Sequence, residues 1–364
     1  MSGRVGVGII GAGVISDVYL RNLTSFPDIA VRAISDLDAA RAHEQATRYG
    51  VDAAASTEDL LARDDIEIVL NLTVPRVHVE VSLQVIAAGK HVWSEKPVGI
   101  DRDGAIRLLD AAESASLRVA CAPDTVLGQG IQSARRLLDA GRIGRPHSAL
   151  VQMLGPGPER WHPSPGFLYQ QGAGPLLDMG PYYLTTLVSL FGAVSRVSAT
   201  GHRPHATRVI GSGPRAGERF DVETPTHINA LYEFASGASA QAVFSFDSGI
   251  KRATLEVTGS GGSMTFPDPN GFKGDAVLHL ATGDERVPSG DRDATRGIGV
   301  VELAQAIREG RPERASGRLA LHMLDAALCT LEAAESGRTT ELSTRADAPP
   351  LLPEGWDPRA RVIS

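Results

Sequence analysis

Residues 4–16 read RVGVGIIGAGVIS, a short apolar run that breaks into glycines and then resumes. Two glycine frames compete here. Gly6, Gly8 and Gly11 satisfy G-x-G-x-x-G, but only Arg4 and Val5 would then precede the turn as strand. In the second frame, Gly11-Ala12-Gly13-Val14-Ile15-Ser16, a full strand precedes and a helix follows. Gly11 permits a tight turn, Gly13 lets the backbone approach a pyrophosphate, and Ser16 is small enough for close helix–strand packing. A helix opening at Val14 offers its free N–H groups and positive dipole end to phosphate. Asp36 stands twenty residues after Ser16, at the end of the second apolar run. There it can accept both ribose hydroxyls and repel a 2′-phosphate, which favours NAD over NADP. Arg41 nearby keeps NADP open. Asp36 also reads as a cap for a helix over 38–49, and the two roles are compatible.

Outward from this turn, strands and helices alternate. Ile29–Ser35 is a strand and Asp38–Tyr49 a helix. Ser56-Thr57-Glu58-Asp59 forms a capping box with Ser56 as cap. IEIVLNL (66–72) is apolar on both faces, as in a strand buried on two sides. VHVEVSLQVIAAGK (77–90) is a helix stopped at Gly89. HVWSE, a helix over Asp101–Ala115 and LRVACA (117–122) complete the series. Repeated β–α units imply parallel strands joined by right-handed crossovers. Such a sheet binds its ligand at the carboxyl ends of its strands. The expected domains are 1–124, a dinucleotide-binding doubly wound sheet, and 125–364.

At 364 residues the chain is long enough for about two cores. A net charge of −7 speaks against a dedicated nucleic-acid binder. Cys121 and Cys329 stand far apart, with no Cys/His spacing that suggests zinc or a disulfide framework. The ten His are scattered, His202 and His205 being the closest pair, so no metal is expected. No apolar run reaches membrane-spanning length. The chain enters a strand almost at once, leaving no room for a signal peptide. A cytoplasmic protein is expected.

Positive charge is carried almost wholly by Arg. Of 36 Lys plus Arg, only Lys90, Lys96, Lys251 and Lys273 are Lys. A Lys can be tuned and can pass a proton, whereas Arg stays protonated. Lys96 lies in HVWSEKPVG (91–99), just past a strand end and so on the ligand edge.

After Asp124 the alternation stops. A helix spans 130–140. Runs such as HSALVQML, AVSRVSATG, THINALYEFA, ASAQAVFSFD and RATLEVTG then alternate in polarity between turn residues, which indicates a mainly antiparallel sheet and an α+β second domain. Two helices, near 298–310 and 317–335, are expected to close it, with an irregular tail from Thr339. The stretch 159–192, ERWHPSPGFLYQQGAGPLLDMGPYYLTTLVSLFG, interrupts the sheet. Leu184, Leu187, Val188 and Phe191 make a helical core stripe. Asp178 and Tyr182, four apart, share a helix face. Pro181 between them is expected to disturb the helix. Trp161, His162 and Tyr169 sit in a Pro/Gly-rich loop as candidate substrate-binding residues.

GIIGAGVIS, AAGKHVWSEKPV, RLLDAGRIGRPHSA and GAGPLLDMGPYYL together resemble the glucose–fructose oxidoreductase/inositol dehydrogenase family, Gfo/Idh/MocA. The resemblance covers most of the chain. It implies a Rossmann domain plus an α/β domain with an open sheet, and NAD(P) as cofactor. It implies that Lys96 is an active-site residue, often followed by a proline in cis, and that Asp178 and Tyr182 complete the catalytic set. Many members carry His where this chain has Tyr182. A phenol has an ordinary pKa near 10, so it needs a cation to act as a base at neutral pH. Lys96 is the expected source, and Asp178 would bind a second substrate hydroxyl. His162 is the alternative proton carrier. The expected cofactor-binding set is Gly11, Gly13, Val14, Ile15, Asp36, Thr73, Pro75, His78, Glu95 and Lys96.

The leading expectation is an NAD(P)-dependent dehydrogenase acting on a secondary alcohol or ketone of a sugar, polyol or cyclitol. The alternatives are redox-neutral sugar elimination or hydrolysis with tightly held NAD, and a non-catalytic dinucleotide-binding sensor. Partners are expected to be a small-molecule substrate and further copies of the chain, as a homodimer or homotetramer, with neither nucleic acid nor membrane. The homo-oligomer rests on an expected apolar sheet face and on the resemblance.

Overall fold

The computed structural model describes residues 3–54, 56–290 and 295–363. The chain forms two compact units. One comprises Met1–Gly128, Asp291–Leu321 and Pro349–Ser364; the other comprises Gln129–Gly290 and His322–Ala348.

The first unit is built on six parallel strands: β1 (Val5–Ile10), β2 (Ile29–Ser35), β3 (Asp52–Ala53), β4 (Ile68–Asn71), β5 (His91–Ser94) and β6 (Val119–Cys121). Their order is β3-β2-β1-β4-β5-β6, the doubly wound Rossmann arrangement. Between them run α1 (Val14–Leu23), α2 (Ala39–Tyr49), α3 (Thr57–Leu61), α4 (His78–Ala87) and α5 (Arg102–Ser114). β1 and β4 are buried on both faces, in keeping with sequences that are apolar apart from the β1 glycines and Asn71 at the end of β4. The glycines inside β1 answer to packing, since a Cβ at Gly6 would strike the Asp65 carbonyl and one at Gly8 the Leu60 side chain. Asp38, Ser56 and Asp101 cap α2, α3 and α5, each accepting a backbone amide of the first turn.

The expected division at 124/125 differs from this in one respect. The Ile298–Glu309 helix and the last residues pack with the first unit rather than closing the second. Asp124 accepts the Gly297 amide at 2.7 Å and the Gly299 amide at 3.3 Å, fixing the start of that helix. Buried Asp28 accepts the Val362 and Ile363 amides and one hydrogen of Gln305. These acids hold backbone from the far end of the chain, a pairing that no local sequence pattern encodes.

The second unit starts with α6 (Gln129–Asp139) and β7 (Pro146–Leu154), followed by α7 (Gly174–Phe191). Then come β8 (Val194–His202), β9 (Thr207–Val209), β10 (Arg219–Asp221), β11 (His227–Phe234), β12 (Ser239–Ser245), β13 (Arg252–Gly259), β14 (Gly262–Thr265), β15 (Ala276–Leu280), β16 (Gly283–Val287) and β17 (Thr340–Glu341). Nine of them form one sheet, ordered β16-β15-β14-β13-β7-β12-β11-β8-β17. All its pairings are antiparallel except β7 with β12. The chain is therefore α/β in its first unit and α+β in its second.

The strands of this sheet alternate in burial. In β11, Ile228, Ala230, Tyr232 and Phe234 are buried, and Tyr232 Oη pairs with Thr330 Oγ1 of the Gly317–Ser336 helix at 3.0 Å. The opposite positions are Asn229, Leu231 and Glu233 in β11, and Gln241 and Val243 in β12. On β7 the same face carries half-buried Leu150, Gln152 and Leu154, so this side of the sheet mixes apolar and polar positions. The helix α7 also runs unbroken through Pro181. One missing backbone donor costs about 3 kcal/mol, and the near-complete burial of Leu176–Ser189 outweighs it.

Candidate active site

Register sets the site in the first unit. Ile10 pairs with Ser35 and with Asn71, Asn71 with Ser94, and Ser94 with Cys121. The strands therefore end in line. The residues just beyond them, Gly11, Asp36, Thr73 and Glu95-Lys96, share the carboxyl edge of the sheet.

Gly11 has φ +105°, and a Cβ there would meet the Leu72 carbonyl at 2.7 Å. Only glycine fits both demands. Gly13 precedes α1 with no side chain capping the helix, and a Cβ there would meet no protein atom within 4 Å. Packing thus explains Gly11, while Gly13 leaves an open approach to the amides of the first helical turn. Val14 is 94% exposed on that turn, and Leu37 and Val74 are exposed beyond β2 and β4. Buried Ser16 bonds back to the Gly13 carbonyl through N at 3.0 Å and Oγ at 2.7 Å.

Asp36 Oδ2 accepts the Ala12 amide at 2.6 Å, and Oδ1 the Asp38 amide at 2.8 Å. The helix cap itself is Asp38, which accepts from Ala40 and Arg41. Arg41 pairs with Asp38 at 3.3 Å and lies 4.0 Å from Asp36. A bare helix start, a turn without side chains and a carboxylate at the second strand end fit a dinucleotide. Gly11–Ile15 would hold its pyrophosphate and Asp36 its ribose hydroxyls.

Beyond β4, Asn71 organises the next turn. Its Oδ1 accepts from Thr73 Oγ1 at 2.6 Å, and its Nδ2 donates to the His78 carbonyl at 2.9 Å and Ser82 Oγ at 3.0 Å. Pro75 opens the single turn Pro75–Val77. His78 is buried, with Nδ1 2.6 Å from the Pro97 carbonyl and Nε2 3.0 Å from the Thr73 carbonyl. Burial lowers its pKa below the ordinary histidine value, although both carbonyls oppose that.

The peptide joining Lys96 to Pro97 is cis. Glu95, beside it, is buried. Its Oε1 accepts from Tyr19 Oη at 2.8 Å and lies 3.8 Å from Arg296, while Oε2 accepts the Lys96 amide at 3.2 Å. Trp93 Nε1 donates to Tyr19 Oη at 3.2 Å. Burial, then the nearby Glu95 charge, raises the Tyr19 pKa. Glu95 and His78, both expected to touch cofactor, thus have their polar side-chain atoms engaged within the protein.

In the second unit, Asp178 and Tyr182 lie one turn apart on α7, Asp178 half-buried and Tyr182 6% exposed. The loop before α7 carries an aromatic trio. Trp161 is 69% exposed and Phe167 51% exposed, with the His162 ring 5.6 Å from the first and 5.5 Å from the second. His162 Nδ1 accepts the Ser164 amide at 3.0 Å. The neutral ring therefore carries its proton on Nε2 and presents no second lone pair to a substrate. Tyr169 is fully buried, donates to Glu159, and lies under the Arg208 guanidinium at 5.1 Å. Arg208 also holds Glu159 at 2.6 Å and pairs with Asp247. Tyr169 anchors the loop and does not face a ligand with its hydroxyl.

The sequence reading missed Asn71, Tyr19 and Arg296. Asn71 had a signal, a polar residue in an otherwise apolar strand. Tyr19 and Arg296 had none, being distant in sequence from Glu95.

The pattern described as "Oxidoreductase family, NAD-binding Rossmann fold" matches residues 5–122, and that of the "GFO/IDH/MocA C-terminal domain" matches residues 131–265. Inositol 2-dehydrogenase of Burkholderia vietnamiensis is 31% identical over 144 residues, 38% of this chain and 43% of that protein. The match thus spans less than half of that relative's length. Inositol 2-dehydrogenase 3 of Saccharopolyspora erythraea is 30% identical over 274 residues, 73% of this chain and 74% of that protein. Levoglucosan dehydrogenase, solved in complex with NADH and L-sorbose, has the same fold. It superposes with a TM-score of 0.81 at 19% identity, covering 94% of this chain and 100% of that one. With the glycine turn, the Lys96-Pro97 loop and the Asp178/Tyr182 helix lying within two matched domains, the chain belongs to the GFO/IDH/MocA family of NAD-binding oxidoreductases.

Proposed function

We propose that the protein is an NAD-dependent dehydrogenase that oxidises a secondary alcohol of a cyclic sugar, polyol or cyclitol, or reduces the corresponding ketone. The observation that carries this reading is the row of strand ends that brings the Gly11 turn, Asp36 and the Lys96 loop to one edge of the parallel sheet. When bound, the nicotinamide accepts the hydride from the substrate carbon.

The chain's own residues handle the proton. In this reading Lys96 donates a hydrogen bond to the reacting hydroxyl. Tyr182 Oη takes the hydroxyl proton as the carbonyl forms. Asp178 accepts a hydrogen bond from a second substrate hydroxyl and fixes the ring's register. The neutral tautomer of His162, set by Ser164, speaks against His162 as the proton acceptor. Trp161, with His162 and Phe167, suits the C–H face of a sugar or cyclitol ring. Relatives named inositol 2-dehydrogenase fit that substrate class. A homodimer or homotetramer is part of this reading, with Leu150, Leu154, Leu231 and Val243 supplying apolar area on the outer sheet face.

The test is a panel of myo-inositol, other cyclitols, pyranoses, anhydrosugars and linear polyols with NAD and NADP, followed by nicotinamide absorbance. Sustained reduction of NAD by cyclic members supports the reading. Product formation without net absorbance change would point to redox-neutral chemistry, and tight NAD binding without turnover to a sensor.

A further inference from the structure

The contacts of His78 do not match a cofactor ligand. Its ring is buried, and each nitrogen faces a backbone carbonyl, Pro97 O at 2.6 Å and Thr73 O at 3.0 Å. Thr73 belongs to the turn after β4, and Pro97 directly follows Lys96 through the cis bond. Asn71 holds the Thr73 side of this bridge through its own bonds to Thr73 and to the His78 carbonyl.

We propose that His78 is a positioning residue for Lys96, its ring tying the Lys96-Pro97 loop to the turn after β4 and so setting where the ammonium is presented. A carbonyl only accepts, so each contact asks the ring for an N–H. The neutral ring has one. The shorter contact assigns it to Nδ1, donating to Pro97. In that tautomer the Thr73 contact is not a hydrogen bond, because an Nε2 lone pair faces the carbonyl oxygen. The Pro97 bond carries the positioning. Lys96 and Glu95 are the charged groups that act on this ring, with opposite effects on its protonation.

The inference concerns the same Lys96 as the proposed function, but its test does not depend on turnover. The chain has only four lysines, so each can be followed separately by mass spectrometry after pulse acylation. Exposed Lys251 serves as internal reference. His78→Ala is expected to change the acylation rate of Lys96 relative to Lys251 by threefold or more between pH 7 and 10. The Kd for NAD, by calorimetry, should move less than threefold. Asn places its amide nitrogen near the Nδ1 position and Gln near Nε2. His78→Asn should therefore restore the wild-type Lys96 profile and His78→Gln should not. An unchanged Lys96 profile in His78→Ala, equal behaviour of the Asn and Gln variants, or a tenfold loss of NAD affinity with Lys96 unaffected would each overturn the inference. Should Lys96→Ala turn out fully active, the catalytic reading fails while this result stands.

Discussion

The Asp36 carboxylate accepts the Ala12 amide at 2.6 Å, so the residue we propose selects the cofactor also closes the glycine turn. Replacing it alters both functions, and two variants separate them. Asp36→Asn keeps an acceptor for Ala12 but loses the charge. Asp36→Ser loses both. Each should raise the ratio of kcat/KM for NADP over NAD by tenfold or more, about 1.4 kcal/mol. Only Asp36→Ser should also weaken NAD binding through a loosened turn. Wild-type enzyme that already prefers NADP tenfold would contradict this role.

Asp124 provides a pH-dependent test of the first unit. It is fully buried, and burial raises its pKa to about 6 despite Arg296 and the Gly297 and Gly299 amides. A raised carboxyl pKa means that the native state holds more protons than the unfolded one. Its stabilising contribution is therefore present below about pH 4 and lost as pH rises through 6. The loss is on the order of 3 kcal/mol at most. Asp124→Asn removes this dependence. The Tm of the variant minus that of wild type should climb from pH 4 to 7. A flat difference would show that Asp124 does not titrate there.

Arg208 lies buried between Glu159 and Asp247, with Tyr169 bonded to Glu159. Removing the guanidinium leaves buried Glu159 and half-buried Asp247 without their cation. Arg208→Met should cost about 3–5 kcal/mol in chemical denaturation. The exposed pair Arg21–Asp17, by contrast, should cost under about 1 kcal/mol on Arg21→Met. Equal effects would show that the cluster does not anchor the loop.

Trp161, exposed beside His162, is expected to bind rather than react. Trp161→Ala should raise KM for a cyclic substrate roughly two- to tenfold, the value of an aromatic contact of about 0.5–1.5 kcal/mol. Linear polyols should show no such change. A fall in kcat with KM intact would place Trp161 elsewhere in the mechanism.

Much of the first unit was legible because its signals are local. The glycine turn, Asp36 at a strand end and the Ser56 capping box each follow from a few adjacent residues. What sequence could not reveal were pairings between distant segments. Asp28 with Val362, Asp124 with Gly297 and Glu95 with Tyr19 join residues that share no periodicity. For that reason the Ile298–Glu309 helix was expected in the second unit. Lys96 drew notice partly through the scarcity of lysine, yet Lys90 is equally scarce and only donates to the carbonyls of Arg63 and Ile66 at the end of a helix and turn. Glu95, His78 and Tyr169 were legible as residues of consequence but not in role, because burial decides whether a polar side chain meets ligand or protein.

The proposed function has Tyr182 take the substrate proton. The direct measurement is the pH dependence of kcat/KM for wild type, Tyr182→Phe and His162→Ala. Tyr182→Phe is expected to lower turnover by roughly a hundred- to ten-thousand-fold and to abolish the basic-group limb of the profile. His162→Ala should retain that limb and change mainly KM. A profile whose limb survives in Tyr182→Phe and disappears in His162→Ala would contradict the account and assign the proton to His162.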